Sequence, residues 1–344
     1  MPLGRRTADD YAEPERLRAA AAPLKGARIL HLAAAGSRLR SPELLPSLLS
    51  LYEDLGIHAE FKVLLGDNLT RELEDGLRGG ETAISDDAWS EFLEDSPAPG
   101  GYDAVVAHGP GPLAAASKAG ALCLWRCEFD CSGAEPATVE RLRALPDALA
   151  VPKAEFAPPG IKVMELPEAI DPLAPGSIEL PVKLAGSLLR SLGLDLSRPV
   201  CFHEFDAWQD PHGVIDAWTT PGLQLVLVGD EWPLLREVSD YAQSNEDILI
   251  LHHVGVVEMN ALRALARAGV ERSLARGAEL TRLETWWKGT PVVETDPIRI
   301  AELINDPGLA IELGGQGHER VRDNHLITHL AETELRLLAS FQSA

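Results

Sequence analysis

The chain has 344 residues, 45% of them hydrophobic and 24% charged, with a formal net charge of −22. That length suffices for two domains with buried cores. The acidic surplus argues against nucleic acid and against anionic membrane surfaces as partners, because both repel it.

Residues 1–26 read as an N-terminal extension, poorly ordered or helical. Arg5 and Arg6 form a basic pair, but no apolar stretch follows them as in a secretory signal. No apolar run is long enough to span a bilayer. The expected location is cytoplasmic.

From Ala27 onward, strands alternate with helices. "ARILHLAAAG" is a short apolar run ending in Gly and reads as a buried parallel strand. "SPELLPSLLSLYEDLG" follows as a helix, with Ser41 as N-cap, Pro42 in the first turn and Gly56 as the stop. "IHAEFKVLLGD", "YDAVVAHGPGP" and "GALCLWRCEF" are three further strands, and "ATVERLRAL" is a helix. Cys123, Cys127 and Cys131 recur every four residues in this stretch. On a strand that spacing puts them on one face, about 13 Å apart per step, too far to share a metal ion or a disulfide. They read as reduced, buried thiols; whether a new site forms around them is open.

The second half repeats the pattern. "SRPVCFHEFD", "LQLVLVGDE", "EDILILHHVG" and "TPVVET" read as strands. "VVEMNALRALARAG", "LTRLETWWKG" and "AELINDPGLAIELGGQGHERVRDNH" read as helices, the last interrupted near Pro307. Alternation of this kind implies parallel sheets with helices on both faces. The expected organisation is two doubly wound α/β domains, 27–170 and 171–325, with a cleft between them and a terminal segment, 326–344.

The stretch "FHEFDAWQDPHGVIDAW" concentrates acidic and imidazole groups. His203, Glu204, Asp206 and His212 are of types that suit Zn or Mn. On a strand, however, His203 and Glu204 point to opposite faces, so no metal and no cofactor are assigned. By the same alternation, at most one of His252 and His253 reaches a cleft. Trp286 and Trp287 follow Glu284 on a helix, and at least one of them packs that helix on its sheet.

"WRCEFDCSG", "PEAIDPLAP", "FDAWQDPHGVIDAW", "NALRALARAGVERSLARG", "LETWWKGTPVV" and "ERVRDNHLITHL" resemble, in the same order, segments of the retaining glycosyltransferases called trehalose synthase, or trehalose glycosyltransferring synthase. The resemblance runs from about Ala27 to Leu330. It implies a GT-B fold with two Rossmann-like domains, the acceptor sugar mostly on the first and the nucleotide-sugar donor mostly on the second. It also implies a C-terminal helix, near Thr328–Ser340, that crosses back to the first domain.

In that family an Arg and a Lys neutralise the leaving diphosphate, in a segment like "SRFDPWKDPLGVID". Here Glu204 holds the Arg position and Gln209 the Lys position. A carboxylate in place of a guanidinium reverses the sign of an interaction worth about 4 kcal/mol at 4 Å and an effective dielectric near 20. The family also carries two Glu eight residues apart in "REGFGLTVAEALWKG"-like sequence. Arg276 stands where the first belongs, Glu284 matches the second, and Glu279 replaces a Gly that lets backbone amides approach the ligand. The family's Gly-rich first loop is replaced by "AAGSRLRSPE", whose Arg38 and Arg40 are candidate anion-binding residues. Its "HDP" segment is "HGP" here, with Gly109 for the Asp, and the Gly-rich loop and strand after "GTPVV" are missing.

The resemblance nominates His108, Arg126 and Glu284 as catalytic candidates. The bland alternatives are a hydrogen-bonded loop His108 and an Arg126 ion pair with Glu128 or Asp130. Lys288 matches a family Lys and is a further anion-binding candidate; its alternative is capping its own helix C-terminus. Scaffold positions are kept while donor-handling positions are replaced. The expected function is therefore that of a pseudo-glycosyltransferase that binds a sugar-like or nucleotide-sugar-like ligand in the cleft, with changed or no catalysis. An active retaining transferase with an altered donor and a non-catalytic subunit of a homologous enzyme are the alternatives. A homodimer or a protein partner is compatible with all three.

Overall fold

The computed structural model describes residues 6–35, 44–65, 68–80, 82, 84–206, 208–218, 222–242, 245–274 and 280–342. Arg38, Arg40, Ser41, Pro42, Arg276 and Glu279 lie outside the described residues. The chain divides into two units, Met1–Glu168 with Ile327–Ala344, and Ala169–Leu326. Among the described residues no helix is long and apolar enough to cross a membrane.

In the first unit α1 (Pro14–Ala21) precedes β1 (Arg28–Ala34), α2 (Leu45–Asp54), β2 (His58–Leu64), α3 (Asn68–Leu77), α4 (Asp86–Asp95), β3 (Ala104–His108), α5 (Leu113–Ser117), β4 (Leu122–Arg126), α6 (Pro136–Leu142), β5 (Ala148–Val151) and β6 (Val163–Glu165). The strands form one parallel sheet in the order β2-β1-β3-β4-β5-β6. β3 is buried at every position, as a strand covered on both faces must be. Gly56 ends α2 at φ 81°, a left-handed value that Gly adopts without a Cβ penalty. Leu17, Ala20, Ala21 and Leu24 of the N-terminal segment are buried.

Side-chain alternation assigns each sheet face. Leu30, Leu32, Val105, Ala107, Cys123 and Trp125 pack in one apolar cluster with α3, α5 and α6. The intervening residues, His31, His108 and Arg126 among them, point to the opposite face.

The second unit contains α7 (Val182–Ser191), β7 (Val200–Phe205), α8 (Pro211–Ala217), β8 (Gln224–Gly229), α9 (Trp232–Ala242), β9 (Ile248–Leu251), α10 (Val256–Leu265), β10 (Ala268–Glu271), α11 (Leu280–Trp287), β11 (Val292–Glu294), α12 (Pro297–Asn305) and α13 (Pro307–Asn324). The last helix, α14 (Ile327–Gln342), belongs to the first unit. The second sheet is also parallel, in the order β11-β10-β7-β8-β9. Cys201, Phe205, Leu225 and Leu227 face α8, α9, α12 and α13. Val200, Phe202, Val226 and Val228 face α7 and α10. Asp210 caps α8, accepting from Gly213 N at 2.8 Å, with Pro211 opening the helix.

Two expectations need correction. The strand read through "GALCLWRCEF" stops at Arg126, so Cys127 and Cys131 lie beyond β4 and are not spaced along it. Their sulfurs are 3.0 Å apart. The helix read through "VVEMNALRALARAG" ends at Leu265, and Ala268–Glu271 turns into β10, buried beside β7.

Candidate functional site

Two polar clusters stand out, one in each unit. In the first, parallel register sets Ala33 beside His108 and His108 beside Arg126. With His31 on the same sheet face, three polar side chains meet beneath helices. Tyr52 reaches them from α2 and Glu334 from α14. Tyr52 Oη donates to Glu334 Oε1 at 2.7 Å. His31 Nε2 lies 3.6 Å from the same oxygen, and Arg126 Nη1 lies 3.8 Å from Glu334 Oε2. His31 Nδ1 and His108 Nε2 are 3.1 Å apart. Donation from His108 Nε2–H to His31 Nδ1 satisfies their contact and leaves His31 Nε2–H directed toward Glu334 at a distance too long for a hydrogen bond; that tautomer is assigned from the partners.

His31, Tyr52, His108 and Glu334 are all buried. Burial lowers the pKa of His31, and lowers that of His108 further, where the Arg126 charge adds to it. Both rings are held neutral. Burial, then the Glu334 carboxylate, pushes the Tyr52 hydroxyl well above its usual value. Of the two ion-pair alternatives for Arg126, Glu128 is the partner, with Oε1 3.6 Å from Arg126 Nε. Asp130 instead accepts from Ser132 N.

The second cluster follows from alternation along β7. Glu204 shares the face of Val200 and Phe202, which α10 covers. That helix carries Arg263, whose side chain is 3% exposed. Arg263 Nη2 lies 2.8 Å from Glu204 Oε2 and 2.7 Å from Glu284 Oε2 on α11. One guanidinium thus bridges two carboxylates from two other elements. Lys288 does not cap its own helix. Its Nζ donates to Ser177 O at 2.6 Å and Ile178 O at 2.7 Å. Burial, then the nearby Arg263 charge, brings the Lys288 amine down to about 8.

The other polar and aromatic groups of this unit are dispersed. Gln209 Oε1 accepts from Ser273 Oγ at 3.1 Å. His203 is buried, with Nδ1 2.9 Å from Val270 O. His212 lies 3.6 Å from Glu237 and edge-on to Tyr241. Arg272 pairs with Asp210 at 2.7 Å, and Arg282 pairs with Glu271. Trp286 packs with Leu280, Leu283 and Val321, while Trp287 stacks on His318 and donates to Ser177 O.

Sequence reading missed Arg263, Tyr52, His31 and Glu334. A signal existed for Arg263. A carboxylate inside an apolar strand needs a counter-charge, and "NALRALARAG" supplies Arg from the neighbouring helix.

No protein-family model matches the chain. Among curated proteins it is 31% identical to the trehalose synthase of Rubrobacter xylanophilus over 391 aligned positions, covering 96% of this chain and 93% of that protein. It is 26% identical to the trehalose synthase of Pyrococcus horikoshii, covering 98% and 97% respectively. Among solved structures it resembles the sucrose-phosphate synthase of Thermosynechococcus elongatus, with a TM-score of 0.67 at 13% identity, covering 92% of this chain and 99% of that one. It also resembles Anabaena HepE in complex with UDP-glucose, with a TM-score of 0.53 at 14% identity, covering 92% and 95%. At such identities the structural likeness is one of fold.

Proposed function

The chain belongs to the trehalose synthase family and has the GT-B glycosyltransferase fold, and from that premise we propose that it does not use a nucleotide diphosphate sugar as its donor. The reading rests on the engagement of Arg263 by Glu204 and Glu284. A diphosphate needs cations and N–H donors aimed at it. Here Arg263, whose guanidinium lies 2.8 Å from Glu204 at the replaced Arg position, already faces two carboxylates. Arg272 and Arg282 likewise face Asp210 and Glu271. A phosphate entering this edge would have to displace a carboxylate from a desolvated cation while approaching a second one.

The connection after β11 supports the same reading. Only Thr295 and Asp296 separate β11 from α12, and Asp296 caps that helix by accepting from Ile298 N. The 391 aligned positions exceed the 344 residues of this chain, so the Rubrobacter xylanophilus relative carries stretches without a counterpart here. The carboxylates of Glu204 and Glu284, partly reached by solvent, suit the hydroxyl donors of an uncharged sugar.

Calorimetric titration at low salt with UDP-glucose, ADP-glucose, UDP and ADP tests the proposal. No binding at millimolar nucleotide is expected; micromolar binding would overturn it. A second reading keeps glycosyl transfer from a donor without a diphosphate, and is favoured by Glu284 held at the matching family position. Under it Glu284→Ala lowers turnover strongly, and unchanged turnover removes it.

A further inference from the structure

The sequence places His252 and His253 at a strand end, where alternation would send them to opposite faces. The structure does otherwise. β9 ends at Leu251, and His253 takes φ 53°, a left-handed value that only a few per cent of non-Gly residues adopt, Asn, Asp and His more often than the rest. Asp230, the residue after β8, holds this turn by accepting from His253 N at 3.0 Å. The turn cancels the alternation and brings the two imidazoles to 3.5 Å between ring centroids, tilted by 44°. Asp230 Oδ1 lies 3.6 Å from His253 Nδ1. One donor atom from each of the three residues falls within 4.8 Å of the others.

The geometry points to a divalent transition-metal site formed by Asp230, His252 and His253. Metal–nitrogen and metal–oxygen bonds of about 2.0–2.2 Å bring ligand atoms to roughly 3.3 Å in a tetrahedral site. Asp230 and His253 are exposed, so a metal held here keeps open positions for water or an anionic group. Two imidazoles and one carboxylate favour Zn²⁺, Co²⁺ or Ni²⁺ over Mg²⁺ and Ca²⁺, which take oxygen ligands. The strained φ at His253 fits this role, because such conformations persist where the surroundings hold them and cluster at ligand sites. The site sits beyond the carboxyl ends of β8 and β9, the sheet edge where parallel α/β folds bind ligands. Glu204 lies on the same edge, one strand away on β7.

The test is calorimetric titration of Zn²⁺ into the reduced, tag-free chain. One equivalent is expected to bind. His252→Ala, His253→Asn and Asp230→Asn should each weaken binding by at least about tenfold, the lower bound for losing even an outer partner of a metal ligand. Asn is chosen at position 253 because it tolerates the left-handed backbone. The exposure of His253 and Asp230 should leave those variants folded, which circular dichroism checks. Co²⁺ loading should give a nitrogen–oxygen d–d spectrum without a thiolate charge-transfer band. Absence of binding, binding that survives all three substitutions, a thiolate band, or displacement of Zn²⁺ by equal Mg²⁺ would each overturn the assignment.

Discussion

Arg263 Nη2 approaches Glu204 Oε2 to 2.8 Å from a helix that covers the face of β7 on which Glu204 lies. The strand contributes a charge to an apolar sheet face, and the helix returns the opposite one. Removing one partner of such a pair leaves an uncompensated charge, at a cost of 3–5 kcal/mol when fully buried. Glu204 keeps 22% of its side chain exposed, so the lower end applies. Arg263→Met should cost about 3 kcal/mol in urea unfolding at neutral pH. Adding Glu204→Gln and Glu284→Gln to it should recover most of that loss. A single variant as stable as the parent would show that the bridge contributes nothing net.

The same cluster predicts a gain of binding. Glu204→Arg with Gln209→Lys restores the cation pair that the family resemblance places at these positions, and leaves Arg263 to Glu284 alone. UDP-glucose binding should become measurable and should weaken as salt rises, because screening falls on exposed charge first. No gain would transfer the cause to the two-residue connection between β11 and α12.

His31 and His108 make stability depend on pH. Their native pKa values are lowered from 6.5 by burial, with Arg126 acting on both from the sheet and the Glu334 carboxylate opposing it at His31. Tyr52 and Glu128 are the other titratable groups of the network. Below pH 6.5 the unfolded chain takes up protons that the native rings refuse. Stability is therefore fully present above 6.5 and is lost as pH falls through the native values. Urea midpoints should drop between pH 7.5 and pH 5, and His108→Asn should flatten that slope even if it lowers the plateau. An equal slope in parent and variant would locate the dependence elsewhere.

The strands at the sheet centres were legible because short, Val-rich apolar runs bounded by Gly, such as "AVVAH" and "LQLVLVG", suit doubly covered strands. β10 was not. "ARAGVE" continues the Ala and Arg spacing of α10, and only pairing with β7 and β11 makes it extended. β5 and β6 are short, and tertiary pairing overrides their weak local signal. Glu204 stood out in the sequence by its charge where the family resemblance implies an Arg, since that comparison needs only one residue's charge. Its partner was not, because an Arg on an amphipathic helix reads as solvated charge until the helix is docked. Glu334 lies about 300 residues from His31, a separation over which no local pattern speaks.

The thiols give a direct check on the loop after β4. Cys127 and Cys131 are buried with sulfurs 3.0 Å apart. Burial, then the contact with Cys127, raises the Cys131 thiol well above its usual value. Burial alone is the main cause that pushes Cys123 and Cys201 up to about 12. The thiolate is the reactive form, so Cys123, Cys131 and Cys201 should not react with iodoacetamide in the native chain at pH 8; Cys127 is buried and out of the reagent's reach, and all four should react in denaturant. Rapid native labelling of Cys131 would mean that the loop opens.

Lys288 should behave in the opposite sense. Its amine titrates near 8, chiefly because it is partly buried and then because Arg263 is close, with Glu179 and Glu284 opposing. Between about pH 8 and 10.5 the unfolded chain holds a proton that the native chain has released, so this group makes stability rise with pH across that window. The neutral amine still has two N–H groups, enough for Ser177 O and Ile178 O, so the anchored loop survives deprotonation. Deprotonation would, however, take a positive charge from beside the Arg263 bridge. Competitive acylation read by peptide mass spectrometry should find Lys288 more nucleophile-like at pH 8.5 than exposed Lys183, once both are corrected for accessibility. Arg263→Met removes the repelling charge, so it should move the Lys288 midpoint upward. A midpoint near 10.5 in the parent chain would show that the amine is solvated and that Ser177 and Ile178 are not its partners in solution.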